Sequence, residues 1–141
     1  MKILFAIDGS PQALAALERL VGKFGYFRNA PRLTLIHVHP RVPYNAATAW
    51  VGKDVVEKYY RDESDGALAG AAALLSTHGI PLRSERRVGD PAEEIVKVAA
   101  DEQCDMIAMG THGHTALANL VMGSVATKVV AVSKIPVLLL K

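Results

Sequence analysis

The stretch "CDMIAMGTHGHTALANLVMGSVATKVVAV", residues 104–132, decides the fold because it joins three different patterns. "DMIAMG" (105–110) is a continuous apolar run of strand length, as in a strand buried on both faces. "SVATKVVAVSK" (124–134) is helical by periodicity. Between them lie Gly110, Gly113, Gly123 and Ser124, with no lysine. A strand that passes through a glycine-containing turn into a helix is a βα unit, and the rest of the chain repeats that unit.

Two further apolar runs, "KILFAI" (2–7) and "LTLIHVH" (33–39), have the same buried-strand character. Between them "SPQALAALERLVGKFG" (10–25) places Ser10 as an N-cap and Pro11 at the first helical position. Its apolar residues Leu14, Leu17, Leu20 and Val21 recur at helical spacing, and Gly25 closes the segment. "VGKDVVEKYYRDESDGALAGAAALLSTHG" (51–79) reads as one long helix or two abutting ones. Within it Gly66 and Gly70 are spaced for close packing on a sheet. "IPLRSERRVG" (80–89) alternates as an edge strand with one wet face, which accounts for its three arginines. In "DPAEEIVKVAADEQC" (90–104), Asp90 caps a helix, Pro91 opens it, and Glu93 and Glu94 complement its dipole. "IPVLLLK" (135–141) is the last strand.

Five strands alternating with four helices predict an α/β fold. It is a single-domain three-layer sandwich over residues 1–141, with helices on both faces of a parallel sheet. With the third strand at a wet edge, the order 3-2-1-4-5 follows. The first and fourth strands are then neighbours whose chains leave in opposite directions, and ligands bind at the carboxyl ends of such a pair. Asp8, Gly9 and Ser10 end the first strand, and Gly110 to Gly113 end the fourth. Main-chain N–H groups at a helix start, with the Ser124 hydroxyl, hold an anion without a cationic side chain. The same glycines and Ser124 serve equally as turn and N-cap residues, and local chemistry leaves both readings open.

Composition narrows the classes. Sixteen Lys and Arg against fourteen Asp and Glu give a formal charge of +2, too small to recruit nucleic acid or an anionic membrane. The single cysteine, Cys104, precludes an intramolecular disulfide and any multi-thiolate metal centre, and reads as a structural thiol. No segment has the ~20 apolar residues of a membrane span, and the apolar run at the N-terminus meets Asp8 without a signal-peptide cleavage site. The chain is therefore expected to be soluble and cytoplasmic.

The spacing Gly110, Gly113, Gly123-Ser124 resembles the nucleotide-binding signature of the universal stress protein family, in its ATP-binding branch of UspA-like domains. "ILFAIDGS", "LIHVHP", "VGDPAEEIVKVA" and "SVATKVVAVSKIPVLLLK" resemble that family's successive elements, so the likeness spans the chain. The resemblance implies a Rossmann-like fold of the adenine nucleotide α-hydrolase-like kind. It implies ATP, ADP or AMP as ligand, with Mg2+ carried by the phosphates. Asp8 would hydrogen-bond the ribose, with Ile7, Gly9 and Ser10 around it. Val38 would lie beside adenine, with Met109 nearby. Gly110, Gly113 and His114 would shape the phosphate loop, and Gly123, Ser124 and Val125 would face the phosphates. His114 stands where many relatives are basic and is at best partly charged at neutral pH, which brings AMP and ADP into consideration beside ATP. The family also implies a homodimer through the last strand, residues 136–141, and a role in stress response or signalling.

Other classes find less support. No Gly-x-x-x-x-Gly-Lys-[Ser/Thr] or Gly-x-Gly-x-x-Gly string exists. His37 with His39, or His112 with His114, lack a third metal ligand at local spacing. "THGH" resembles the histidine signature of nucleotidyl transferases but sits after the wrong strand. No activated nucleophile or general base is evident, so the chain is expected to be no enzyme, at most a slow ATPase. The rival readings are an adenosine-phosphate transferase and a nucleotide-free dimerisation module. "RVPYNAATAWVGKDVV" (41–56), with Tyr44 and Trp50, is a loop that packs on the domain or serves as a lid or partner surface.

Overall fold

Both helix starts marked by Pro are capped as the sequence predicts. Ser10 Oγ accepts the amide of Ala13 ahead of helix α1 (Pro11–Val21), and Asp90 Oδ1 accepts that of Glu93 ahead of α3 (Pro91–Asp101). A computed structural model describes residues 1–41, 52–113 and 122–141. The strands are β1 (Lys2–Ala6), β2 (Arg32–His39), β3 (Ser84–Val88), β4 (Met106–Gly110) and β5 (Val137–Leu140), and the remaining helices are α2 (Lys53–Thr77) and α4 (Ser124–Val132). They form one parallel sheet of order β3-β2-β1-β4-β5. The expected α/β order 3-2-1-4-5 is thus observed, with β3 at an edge.

Alternation along the central strands builds two cores. Ile3, Phe5 and Ile7 join Leu33 and Leu35 under α1 and α2, where Leu17, Leu20, Leu68 and Leu75 meet them. Leu4, Ala6, Ile36, Ile107 and Met109 face the other way, onto Ile95 and Val98 of α3 and Val129 of α4. Strands buried on both sides have no polar face to display, which is why the sequence shows them as uninterrupted apolar runs. Cys104 is buried beneath α3, and its thiol is pushed up by burial first and then by Glu102. Among the described residues no helix is long and apolar enough to cross a membrane.

Three local expectations change. Helix α1 stops at Val21 with Gly22 as its C-cap, and Gly25 belongs to a separate 3-10 turn, Phe24–Tyr26. The edge strand begins at Ser84 rather than Ile80; the Arg83 carbonyl is the first to enter the ladder, accepting from Leu35 N–H, and Pro81 has no N–H to give. The segment 53–77 is one helix, and its glycines do not pack on the sheet. Gly70 lies against Leu14 of α1, where an added Cβ would stand 3.0 Å from Leu14 Cδ1, while a Cβ on Gly66 would meet nothing within 4 Å.

Gly9 joins β1 to α1 under a constraint that only glycine meets. Its φ is +80°, and a Cβ there would stand 2.8 Å from Ala67 Cα on α2. Both the left-handed backbone and the helix contact therefore oppose a side chain. Gly9→Ala is expected to lower unfolding stability by about 2 kcal/mol or more in urea melts, whereas Gly66→Ala, in open space within α2, is expected to raise it by about 0.5–1 kcal/mol. Equal effects of the two substitutions would refute this account of Gly9.

Candidate functional site

At the carboxyl end of the sheet, where β1 and β4 part, a cavity of about 570 Å3 opens. It takes in Ile7, Asp8 and Gly9 after β1, Val38 at the end of β2, Met109, Gly110 and Gly113 from β4 onward, and Gly123, Ser124 and Val125 at the start of α4. Eleven of the twelve residues marked by sequence lie in the described part of the chain, and the cavity gathers all of these but Ser10. His114 and the loop core with Tyr44 and Trp50 lie outside the described residues.

Asp8 is held from two sides. One carboxylate oxygen, Oδ1, accepts the Ser10 amide at 2.9 Å, and the other, Oδ2, rests against Gly113, where a Cβ would overlap it. The glycine at 113 is therefore required for a reason the sequence pattern hides: it leaves room for Asp8, and only through Asp8 does it shape the ligand space. Ser10 is fully buried, with its hydroxyl spent on capping α1. It positions Asp8 and α1 and does not line the cavity, which corrects its assignment as a contact residue.

The anion side of the site is the start of α4. Gly123 N–H donates to the Thr111 carbonyl at 2.7 Å, tying the start of α4 to the end of β4, and the Gly123 carbonyl accepts both the amide and the hydroxyl of Thr127 at 2.9 Å. The Gly123 amide is thus committed to the fold and is corrected as an anion donor. The amides of Ser124 and Val125, in the first helical turn, have no carbonyl within the helix, and among the described residues no side chain caps this end. With the helix dipole behind them they favour negative charge. By contrast, the start of α3 nearby is closed to anions, because Asp90 caps it and in turn holds Lys128 Nζ at 2.8 Å; Lys128 also reaches Glu93 at 3.3 Å. The Lys128 ion pair lowers the Asp90 carboxyl below its ordinary range, with the Glu93 amide adding to the effect.

Between the anion side and Asp8 the wall is apolar: Ala6, Ile36, Val38, Ile95 and Met109. Sequence reasoning missed the opposite wall, on the α2 side, formed by His37, His39, Asp62, Glu63, Gly66 and Ala67. His37 is 7% exposed, and its Nδ1 lies 3.0 Å from Ser64 Oγ of α2. Burial, and secondarily His39, pulls its pKa below the ordinary imidazole value, with Asp8 and Glu63 opposing. His39 donates from Nδ1 to the Pro40 carbonyl at 2.6 Å and packs its ring against Tyr59 and Tyr60, with centroids 5.4 and 5.0 Å away. The signal for this wall was the period-two spacing of His37 and His39 with Leu35, which places both imidazoles on the α2 face. Among the described residues no three His, Cys, Asp or Glu side chains converge as metal ligands, and none of those lining the cavity is Lys or Arg.

Comparison with known proteins places this architecture. The family model described as "Universal stress protein family" matches residues 1–141. A universal stress protein of Thermus aquaticus is 33% identical over 140 residues, covering 99% of this chain and 97% of the relative. The solved structure of MJ0577, a universal stress protein of Methanocaldococcus jannaschii, superposes with a TM-score of 0.81 at 31% identity, covering 99% of this chain and 94% of that one. Two structures of lower identity share the fold. The universal stress protein of Archaeoglobus fulgidus in complex with dAMP has a TM-score of 0.66 at 20% identity over 100% of this chain and 98% of that one. An Arabidopsis thaliana family protein with AMP bound has a TM-score of 0.69 at 16% identity over 100% and 91%. By its sheet order, the glycines of its crevice and this match over its whole length, the chain belongs to the universal stress protein family.

Proposed function

We propose that the crevice binds an adenine nucleotide, ATP or its mono- or diphosphate, in a protein of stress response or signalling that works in the cytoplasm. The observation that carries this reading is the pairing, in one cavity, of the uncapped α4 start with the Asp8 carboxylate on either side of an apolar wall. Such a pairing suits a ligand with an anionic end, a flat apolar end and hydroxyls between them. The dAMP and AMP complexes of two family structures support the choice of adenine nucleotide.

In this reading each residue has a defined task. The Ser124 and Val125 amides, with the Ser124 hydroxyl, donate to phosphate oxygens, while Val38 and Met109 exclude water from the faces of the base. Asp8, held by the Ser10 amide, accepts hydrogen bonds from ribose hydroxyls. Mg2+, if present, is held through the phosphates and neutralises part of their charge. The chain acts as a binding protein rather than an enzyme. Its described lining offers no Lys or Arg to stabilise charge on a transferred phosphoryl group, and the one imidazole buried among the described residues, His37, sits on the α2 side.

Nucleotide occupancy is coupled to a homodimer through the last strand. β5 is a sheet edge with no described strand on its outer side, with Leu138 36% exposed and Val130 and Val132 of the adjoining α4 also exposed, a liability that pairing with a second copy removes. Sedimentation with and without AMP tests this: a dimer whose dissociation constant shifts with nucleotide is expected, and a monomer in both states contradicts it. For the site itself, calorimetry with AMP, ADP and ATP plus Mg2+ is expected to give saturable binding. Gly113→Ala should weaken it about tenfold or more, because the new Cβ displaces Asp8 from its seat and costs hydrogen bonds of about 1.5 kcal/mol or more. Gly123→Ala should be milder, since a Cβ there makes only an ordinary 3.4 Å contact with the Thr111 carbonyl. Unaltered affinity in Gly113→Ala would return the glycine to a simple turn residue.

A further inference from the structure

The cavity has two chemically opposite lobes because successive residues of β2 point to opposite faces of the sheet. Val38 packs with the α3 and α4 core, whereas His37 reaches Ser64 on α2. The first lobe ends at a helix N-terminus and favours negative charge. The second, bounded by His37, Asp62, Glu63 and Gly66, carries carboxylates and no cationic side chain among its described residues.

Within that second lobe His37 is more than nine-tenths buried, yet among the described residues only one of its ring nitrogens has a hydrogen bond. No buried side-chain nitrogen or oxygen among the described residues lacks a partner, so Nε2 is not sealed in the core and opens on the cavity that His37 lines. The Ser64 hydroxyl fixes the ring. When Nδ1 donates to it, Nε2 presents a lone pair. The carboxylate of Asp62 is occupied by Lys58 at 2.6 Å, whereas Glu63 has no ion-pair partner among the described residues. Beside them a Cβ added at Gly66 would meet nothing within 4 Å, leaving the floor of the lobe open.

We propose that this α2-side lobe is a subsite for the primary ammonium group of a small organic cation, seated between the Glu63 carboxylate and His37 Nε2. An ammonium supplies three donors and a positive charge, which match an anionic acceptor and a neutral imidazole acceptor, and its alkyl stem has the His39 ring beside it in the cavity lining. Burial lowers the His37 pKa below the ordinary imidazole value and so disfavours the ring as a second cation competing for the carboxylate. The subsite is separate from the phosphate end and does not depend on nucleotide being bound.

Putrescine titrated calorimetrically into nucleotide-free protein at constant ionic strength tests the assignment. Saturable binding is expected, about tenfold weaker in Glu63→Gln, the loss expected for one charge-assisted hydrogen bond, and largely retained in Glu63→Asp. Glu63 is exposed on α2, so these variants keep the fold, which thermal melts verify. Glu102→Gln, remote from the cavity, should bind as the wild type does. No saturable heat at millimolar putrescine, or equal affinity in wild type and Glu63→Gln, would overturn the proposal. Either result would leave the nucleotide reading standing, since no nucleotide enters this titration.

Discussion

The Asp8 carboxylate seated on the bare Cα of Gly113 is the contact on which the site depends. It bridges the divergence of β1 and β4, the one place in a doubly wound sheet where two neighbouring strands send their chains to opposite faces. The half-buried carboxylate there is held in place. The Ser10 amide does so on one side, and Gly113 admits it on the other. Gly9 makes this possible, since its positive φ turns the chain from β1 into α1 while letting α2 approach at Ala67. Two glycines and a capped helix thus converge on fixing one charge at the lip of the crevice.

The opposite pole is made of backbone. Gly123 spends its amide on the Thr111 carbonyl and thereby ties the start of α4 to the end of β4, and the amides that follow have no cap among the described residues. Where a basic side chain would supply a full charge, this arrangement supplies oriented dipoles, which need no desolvation of an ammonium and lose little on binding. Lys128 of α4 is committed to Asp90 and Glu93. Its work is to join α4 to the start of α3.

Much of this was legible in the sequence, because the signals were local or periodic. Continuous apolar runs gave the buried strands, Ser-Pro and Asp-Pro gave the starts of α1 and α3, and the glycine spacing marked the crevice. What stayed hidden was tertiary. That Gly113 yields to Asp8 requires two loops 105 positions apart to meet. That Ser10 is sealed and Gly70 touches Leu14 rather than the sheet depends on how α1 and α2 lie together. The α2-side wall escaped notice because a 25-residue helix has many exposed acids, and nothing in the pattern distinguishes Glu63, at the cavity, from Glu57, away from it.

The central claim is that the β1/β4 crevice is a nucleotide site, and the contents of the protein as purified test it most directly. Denaturing the protein and analysing the released small molecules by mass spectrometry should find AMP, ADP or ATP in the wild type and markedly less in Asp8→Ala. Absence of any adenine nucleotide, together with no heat on titrating AMP or ATP into the same preparation, would contradict the account.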